Sequence, residues 1–145
     1  MTQHRVSGKF IGSAVAAGLA MAVITGHHAP TSGGSKATVT AVYGSNEALA
    51  NQMAASGYGW TGAETTCLDR LWTRESAGTW SPAVTDPLSG AYGIPQSLPP
   101  DKMAAAGPDW RTNSATQIRW GLGYIRARYG TPCTAWDHET ADGWY

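Results

Sequence analysis

The stretch TTCLDRLWTRES, Thr65 to Ser76, decides how this chain is read. Leu68, Leu71 and Trp72 stand at i, i+3 and i+4, the spacing that puts side chains on one face of a helix, and Glu75 follows at i+7 on the same stripe. Thr65 or Thr66 is expected to cap the unpaired amides at the start. Asp69, Arg70 and Arg74 fall on the opposite side, where they suit water. A glutamate aimed at a core position loses hydration, which disfavours its ionised form and raises its pKa toward the range of a proton donor. Glu75 is therefore the candidate general acid. The alternative is a glutamate beyond the last turn, in water.

Downstream of Glu75, residues 76 to 100 hold eight Pro or Gly among 25 residues, which forbids a long regular element and implies a specified series of turns. Loops of this length without secondary structure are uncommon in compact domains unless they carry function. Lys102 to Gly107 reads as a helical turn. Asn113 or Ser114 is expected to cap a helix over Ala115 to Tyr129, with Ile118, Leu122, Ile125 and Tyr129 on one face. Gly121 and Gly123 inside it each cost about 1 kcal/mol relative to Ala, so they imply close approach of another backbone. Gly130 closes the helix, and the tail CTAWDHETADGWY reads as a last short helix or turn.

Upstream, Asn46 is expected to cap a helix from Glu47 to about Ser56, and Thr38 to Tyr43 passes for a short isolated strand. GYGWTG, at Gly57 to Gly62, spells GxGxxG. It follows a helical segment instead of a strand, so it reads as a loop and not as a dinucleotide fingerprint. MTQHRVSGK followed by 17 residues free of Asp, Glu, Lys and Arg, Phe10 to Gly26, has the form of a cleaved secretory leader. His27 spoils an A-x-A pattern ending at Ala29, while Ser35-Lys36-Ala37 has small residues at both required positions; the chain is expected to be secreted, extracellular or wall-associated, with no stable membrane anchor once the leader is removed.

Without Arg5 and Lys9 the chain carries eight basic and ten acidic side chains, a net charge near -2, which argues against nucleic acid as a partner. From Thr38 onward about 108 residues remain, enough for one small, mostly α domain, expected to be a monomer. The two cysteines, Cys67 and Cys133, are expected to pair in an exported chain. The bridge would close a loop of roughly 67 residues and stabilise by about 4 kcal/mol on the chain-entropy estimate.

Seven Trp and six Tyr against one Phe give flat faces with polar handles, which suit either a carbohydrate cleft or a core of large rings. Trp72 and Trp120 are expected in the core. HETAD, His138 to Asp142, puts Asp where a zinc motif needs its second His, and no Ser occupies a nucleophile elbow. No metal or other cofactor is expected. No second carboxylate is an obvious partner of Glu75; Asp86, in the loop, is the next candidate acid.

LWTRES and GAYGIPQ, followed by ATQIRWGLGYIRARYG and the ending GWY, resemble the transglycosylase SLT domains of exported actinobacterial proteins, relatives of goose-type lysozyme and of the lytic transglycosylases. The resemblance runs from about Gly59 to Tyr145, about 60 per cent of the chain. It implies a small lysozyme-like domain of four to five helices with a long structured active-site loop, covering residues 58–145. A leader over 1–37 and an N-terminal extension with a short helix over 38–57 precede it. In that family the Glu of an ES pair is the sole catalytic carboxylate, which matches Glu75 with Ser76 beside it. The G-A-x-G-x-x-Q loop matches Gly90, Ala91, Tyr92, Gly93 and Gln96 as substrate-binding residues. Tyr124 matches the tyrosine that approaches the acid, and Trp136 keeps part of a motif near the end. The implied activity is cleavage of the β-1,4 bond between N-acetylmuramic acid and N-acetylglucosamine in peptidoglycan glycan strands, leaving a 1,6-anhydromuramoyl end. Hydrolysis at the same site, or a wall-binding protein without turnover, are the alternatives. The second is motivated by the lack of the family's A-Y-N-A-G segment.

Overall fold

A computed structural model describes the backbone of residues 36–145 and the side chains from Asn46 onward. The leader expected over 1–37 lies, but for its last two residues, outside the described residues. Four α-helices and one 3₁₀ helix follow in order: α1 Lys36–Tyr58, α2 Ala63–Glu75, the 3₁₀ helix Pro100–Ala105, α3 Ser114–Arg128 and α4 Pro132–Asp142. Among the described residues there is no β-strand, only isolated bridges at Thr85–Tyr92 and Tyr92–Ser97. The mostly α expectation holds.

The helix expected from Glu47 is longer than its sequence signals. Thr38 to Tyr43 is part of α1 and not a strand, there being no second strand to pair it. Asn46 does not cap; it lies buried inside the helix and donates from Nδ2 to Trp80 O at 2.9 Å, 34 residues away. α2 starts earlier than expected, after Gly62 in a left-handed conformation with φ 59°. Thr65 and Thr66 therefore sit inside its first turn, where both hydroxyls donate to Gly62 O instead of capping. The Asn113 cap is as expected, its Oδ1 accepting from the amides of Ala115 and Thr116. Pro132 opens α4 at a position that needs no amide donor, and Gly143, with φ 75°, closes it.

The core takes Ala50 and Ala54 from α1, Leu68, Leu71 and Trp72 from α2, and Ile118, Leu122 and Ile125 from α3; Ala135, Tyr145 and the loop residues Trp60, Trp80 and Ile94 complete it. Each fully buried Leu or Ile side chain here contributes about 1.5–3 kcal/mol. Trp72 donates from Nε1 to the Tyr145 hydroxyl at 2.8 Å, which donates onward to Pro95 O at 2.9 Å. One buried relay thus ties α2, the last residue and the long loop. Trp120, expected in the core, is only half-buried and stacks on Tyr124 at 5.3 Å. Its helical position faces away from the Ile118, Leu122 and Ile125 stripe.

What approaches Gly121 is a side chain, not a backbone. A Cβ there would lie 2.6 Å from Trp72 Cζ2 and 3.0 Å from Pro95 Cβ, whereas one on Gly123 would meet only the Tyr58 hydroxyl at 3.7 Å. Gly121→Ala is thus expected to destabilise by about 1–3 kcal/mol despite its better helix propensity. Gly123→Ala should be neutral or stabilise by up to about 1 kcal/mol. Urea midpoints of the two variants test the pair; equal midpoints would remove the packing argument.

Candidate active site

The α2 stripe delivers Glu75 as its spacing dictates. Leu68, Leu71 and Trp72 are wholly buried, and Glu75, at the last position of the helix, is 1% exposed. Neither of its carboxylate oxygens has a hydrogen-bond partner. Burial raises its pKa well above 4.5, a second carboxylate at Glu139 raises it further, and Arg74 opposes both. Burial of an unpartnered carboxyl favours its protonated form, the state a proton donor needs.

Sequence reasoning missed Glu139. It is 0% exposed on α4, and Arg74 Nε lies 2.9 Å from its Oε1, close enough to pair as charges though not aligned as a hydrogen bond. Burial pushes its pKa up, against the pull of Arg74 and His138. Arg74 is therefore not the solvated bystander expected from its place on the helix. The signal for Glu139 was present: Pro132, Ala135 and Glu139 are the buried residues of α4, at i, i+3 and i+7, the same pattern that ends in Glu75 on α2. Testing HETAD only for metal ligands hid it. His138 instead presents Nδ1 to Trp144 O at 2.7 Å and packs edge-on against the Trp144 ring.

Tyr124 is brought near Glu75 without the hydrogen bond between them. Its hydroxyl is buried with no partner, and its pKa is raised by burial first, with smaller contributions from Tyr129 and from Glu75. Its ring stacks on Trp120, and the two line a groove of about 370 Å³ with Arg119 and Gly123. Tyr145, fully buried, is also raised by burial and then by Glu75. Two phenols and a second acid therefore surround the candidate acid.

The loop residues divide. Gly90, with φ 80°, and Tyr92 reach a groove of about 570 Å³ that also takes in Asp101 and Arg111. Tyr92 is fixed there by its hydroxyl donating to Arg111 O at 2.8 Å and by its edge-on contact with Trp110. Ser76, Ala91 and Gln96 have no exposed surface and do not meet a ligand in this conformation. The Ser76 hydroxyl accepts from Trp80 N at 2.9 Å and shapes the turn after α2. Gln96 adopts φ 46° and turns its amide inward, donating from Nε2 to Gly93 O at 2.8 Å, with Oε1 unpartnered. Buried Gly93 makes room for Gln117, whose side-chain amide occupies the space a Cβ would need. Gln117 was missed: its Oε1 accepts from Ile94 N at 3.0 Å, and its Nε2 donates to Pro82 O and Trp110 O at 2.9 and 2.8 Å. It pins the loop from inside. Trp136 is half-buried and packs against the core.

Asp86 fails as the reserve acid. Its oxygens accept from Leu88 N at 3.0 Å and from the Ser89 hydroxyl, and these bonds hold its pKa below 3.8. It is a turn organiser that stays ionised. Cys67 and Cys133 are bonded, with Cα atoms 4.9 Å apart, joining α2 to α4. None of the grooves at Tyr92, at Trp120 or between Met53 and Tyr58 is lined by Glu75; Tyr124 lines the one at Trp120 and has a buried hydroxyl. No family model matches the chain, and no curated protein or solved structure matches it.

Proposed function

We propose that the protein is a secreted glycosidase of the lytic-transglycosylase type, acting on the β-1,4 bond between N-acetylmuramic acid and N-acetylglucosamine in peptidoglycan. The observation that carries the reading is Glu75, 1% exposed with both oxygens unpartnered and its pKa pushed up by burial. The resemblance of LWTRES and GAYGIPQ to the transglycosylase domains supports the substrate class. In this reading neutral Glu75 protonates the glycosidic oxygen as the C1–O bond breaks, and the acetamido oxygen of the substrate meets the positive charge at C1. Glu75, now a carboxylate, removes the proton of the C6 hydroxyl, whose oxygen attacks C1 and closes the 1,6-anhydro ring. The nucleophile is intramolecular, so no second carboxylate is required to activate a water. Tyr124, whose hydroxyl is buried like the Glu75 carboxyl, is the candidate to donate to the carboxylate once it forms.

Digestion of purified peptidoglycan followed by mass spectrometry of the fragments tests the proposal. Anhydromuramoyl ends are expected; reducing muramic ends would make the protein a muramidase at the same site. That Glu75 lines none of the three grooves described above favours a second reading, a wall-binding protein without turnover. Retention on insoluble peptidoglycan with no fragment released, from intact or peptide-trimmed substrate, would establish that reading and sink the enzyme.

A further inference from the structure

Glu139 takes no part in the chemistry proposed above, yet it is wholly buried and reaches the residue next to Glu75. The disulfide joins α2 and α4 near their starts. Arg74 follows Cys67, and Glu139 follows Cys133, by about 10 Å along either helix at 1.5 Å per residue. There the helices are joined a second time, by Arg74 Nε and Glu139 Oε1 at 2.9 Å. Two joins at matching distances set α2 and α4 side by side and running the same way, which brings Glu139 to the end of α2 that carries Arg74 and Glu75.

The other charged and titratable groups around the pair are the phenols of Tyr124 and Tyr129, which Arg128 adjoins, the phenol of Tyr145, and the imidazole of His138. Two carboxyls buried together on one counter-charge do not both ionise; the pair keeps a proton. The guanidinium lies at ion-pair distance from Glu139, while Glu75 is in no ion pair among the described residues. We propose that Glu139 is a positioning residue for Glu75: by holding Arg74 and placing a second buried charge beside Glu75, it assigns the one proton of the pair to Glu75. The inference rests on Glu75 as the acid, but where that proton sits is measurable without turnover.

The test is a ¹³C titration of the side-chain carboxyls by NMR on the folded chain, with the Glu75 signal assigned by its loss in Glu75→Gln. In Glu139→Gln the second charge is gone and Arg74 is released, so the Glu75 midpoint should fall by about one pH unit or more. Glu139→Asp, which keeps the charge, should restore at least half of that shift. An unchanged Glu75 midpoint in a folded Glu139→Gln protein overturns the proposal. Should that variant fail to fold, Arg74→Gln replaces it, because Arg74 is 46% exposed and its loss leaves the core intact. The Glu139 midpoint should then rise by about one unit or more, and no movement of either carboxyl overturns the proposal. Turnover measured on the unsubstituted protein separates the two readings. A shifted midpoint in a protein that cleaves nothing upholds the pair and sinks the enzyme; cleavage with unmoved midpoints upholds the acid and sinks the pair.

Discussion

Glu75→Gln should lower peptidoglycan turnover by about 100-fold or more while leaving the fold intact and, at neutral pH, no less stable than the unsubstituted protein. The amide matches the carboxylic acid in shape, so Leu71 and Trp72 keep their packing, but it has no proton to give. The stability half of the expectation separates a catalytic acid from a structural one. The folded-state pKa of Glu75 lies well above 4.5 because burial and then Glu139 oppose ionisation, with Arg74 in partial compensation. Folding therefore favours the protonated form, and the stability this group supplies is complete below the unfolded pKa and is lost as pH rises toward the folded one. A neutral amide carries no such loss. Relative to the unsubstituted protein, Glu75→Gln should gain stability between pH 4 and pH 7. Thermal melts at both pH values, beside turnover and binding to insoluble peptidoglycan, test the whole expectation. Loss of stability at both pH values would make Glu75 structural. Near-normal turnover would move the acid elsewhere, and Glu139, not Asp86, is the next carboxyl to substitute, because Asp86 is held ionised by its turn.

What the sequence made legible was local or forced by number. The α2 stripe is a pattern of one helix face, and Asn113 caps the helix that starts at the next residue. Two cysteines in a chain read as exported leave one pairing. What was illegible depends on partners remote in the chain. Asn46 has the type of an N-cap, but its amide serves Trp80 O across 34 residues, and no rule of spacing says so. Gln96 is a polar residue in a motif that resembles a sugar-binding loop. Its left-handed backbone turns the amide back on Gly93 O, where it shapes the loop. Gln117 sits on α3 among residues of the buried face, and only the folded loop reveals that its three bonds hold Pro82, Ile94 and Trp110 together. Glu139 belongs to a different category. Its stripe was as readable as that of Glu75, but a carboxylate counts as a partner only once two helices are known to lie side by side.

The second large effect is expected from removing the disulfide. Cys67 and Cys133 are separated by 66 residues, a loop spanning the end of α2, the long turn segment and α3. Cross-linking such a loop restricts the unfolded chain, and the entropy estimate is about 4 kcal/mol, with measured values commonly 2–5. For a domain of this size each kcal/mol moves the midpoint by about 4–8 °C, so Cys67→Ala with Cys133→Ala should lower Tm by about 10–30 °C. The urea m-value should rise, because an unfolded chain without the cross-link exposes more surface. Residual turnover should persist at low temperature, since neither sulfur is among the groups around Glu75. The pair at Arg74 and Glu139 and the bond from Cys133 N to Glu64 Oε2, at 2.9 Å, still hold α4 on α2. A loss of less than about 1 kcal/mol would mean that contacts surviving in the unfolded chain already restrict the loop. Two thiols labelled without reductant in protein recovered from an oxidising compartment would mean that the bridge does not form there at all.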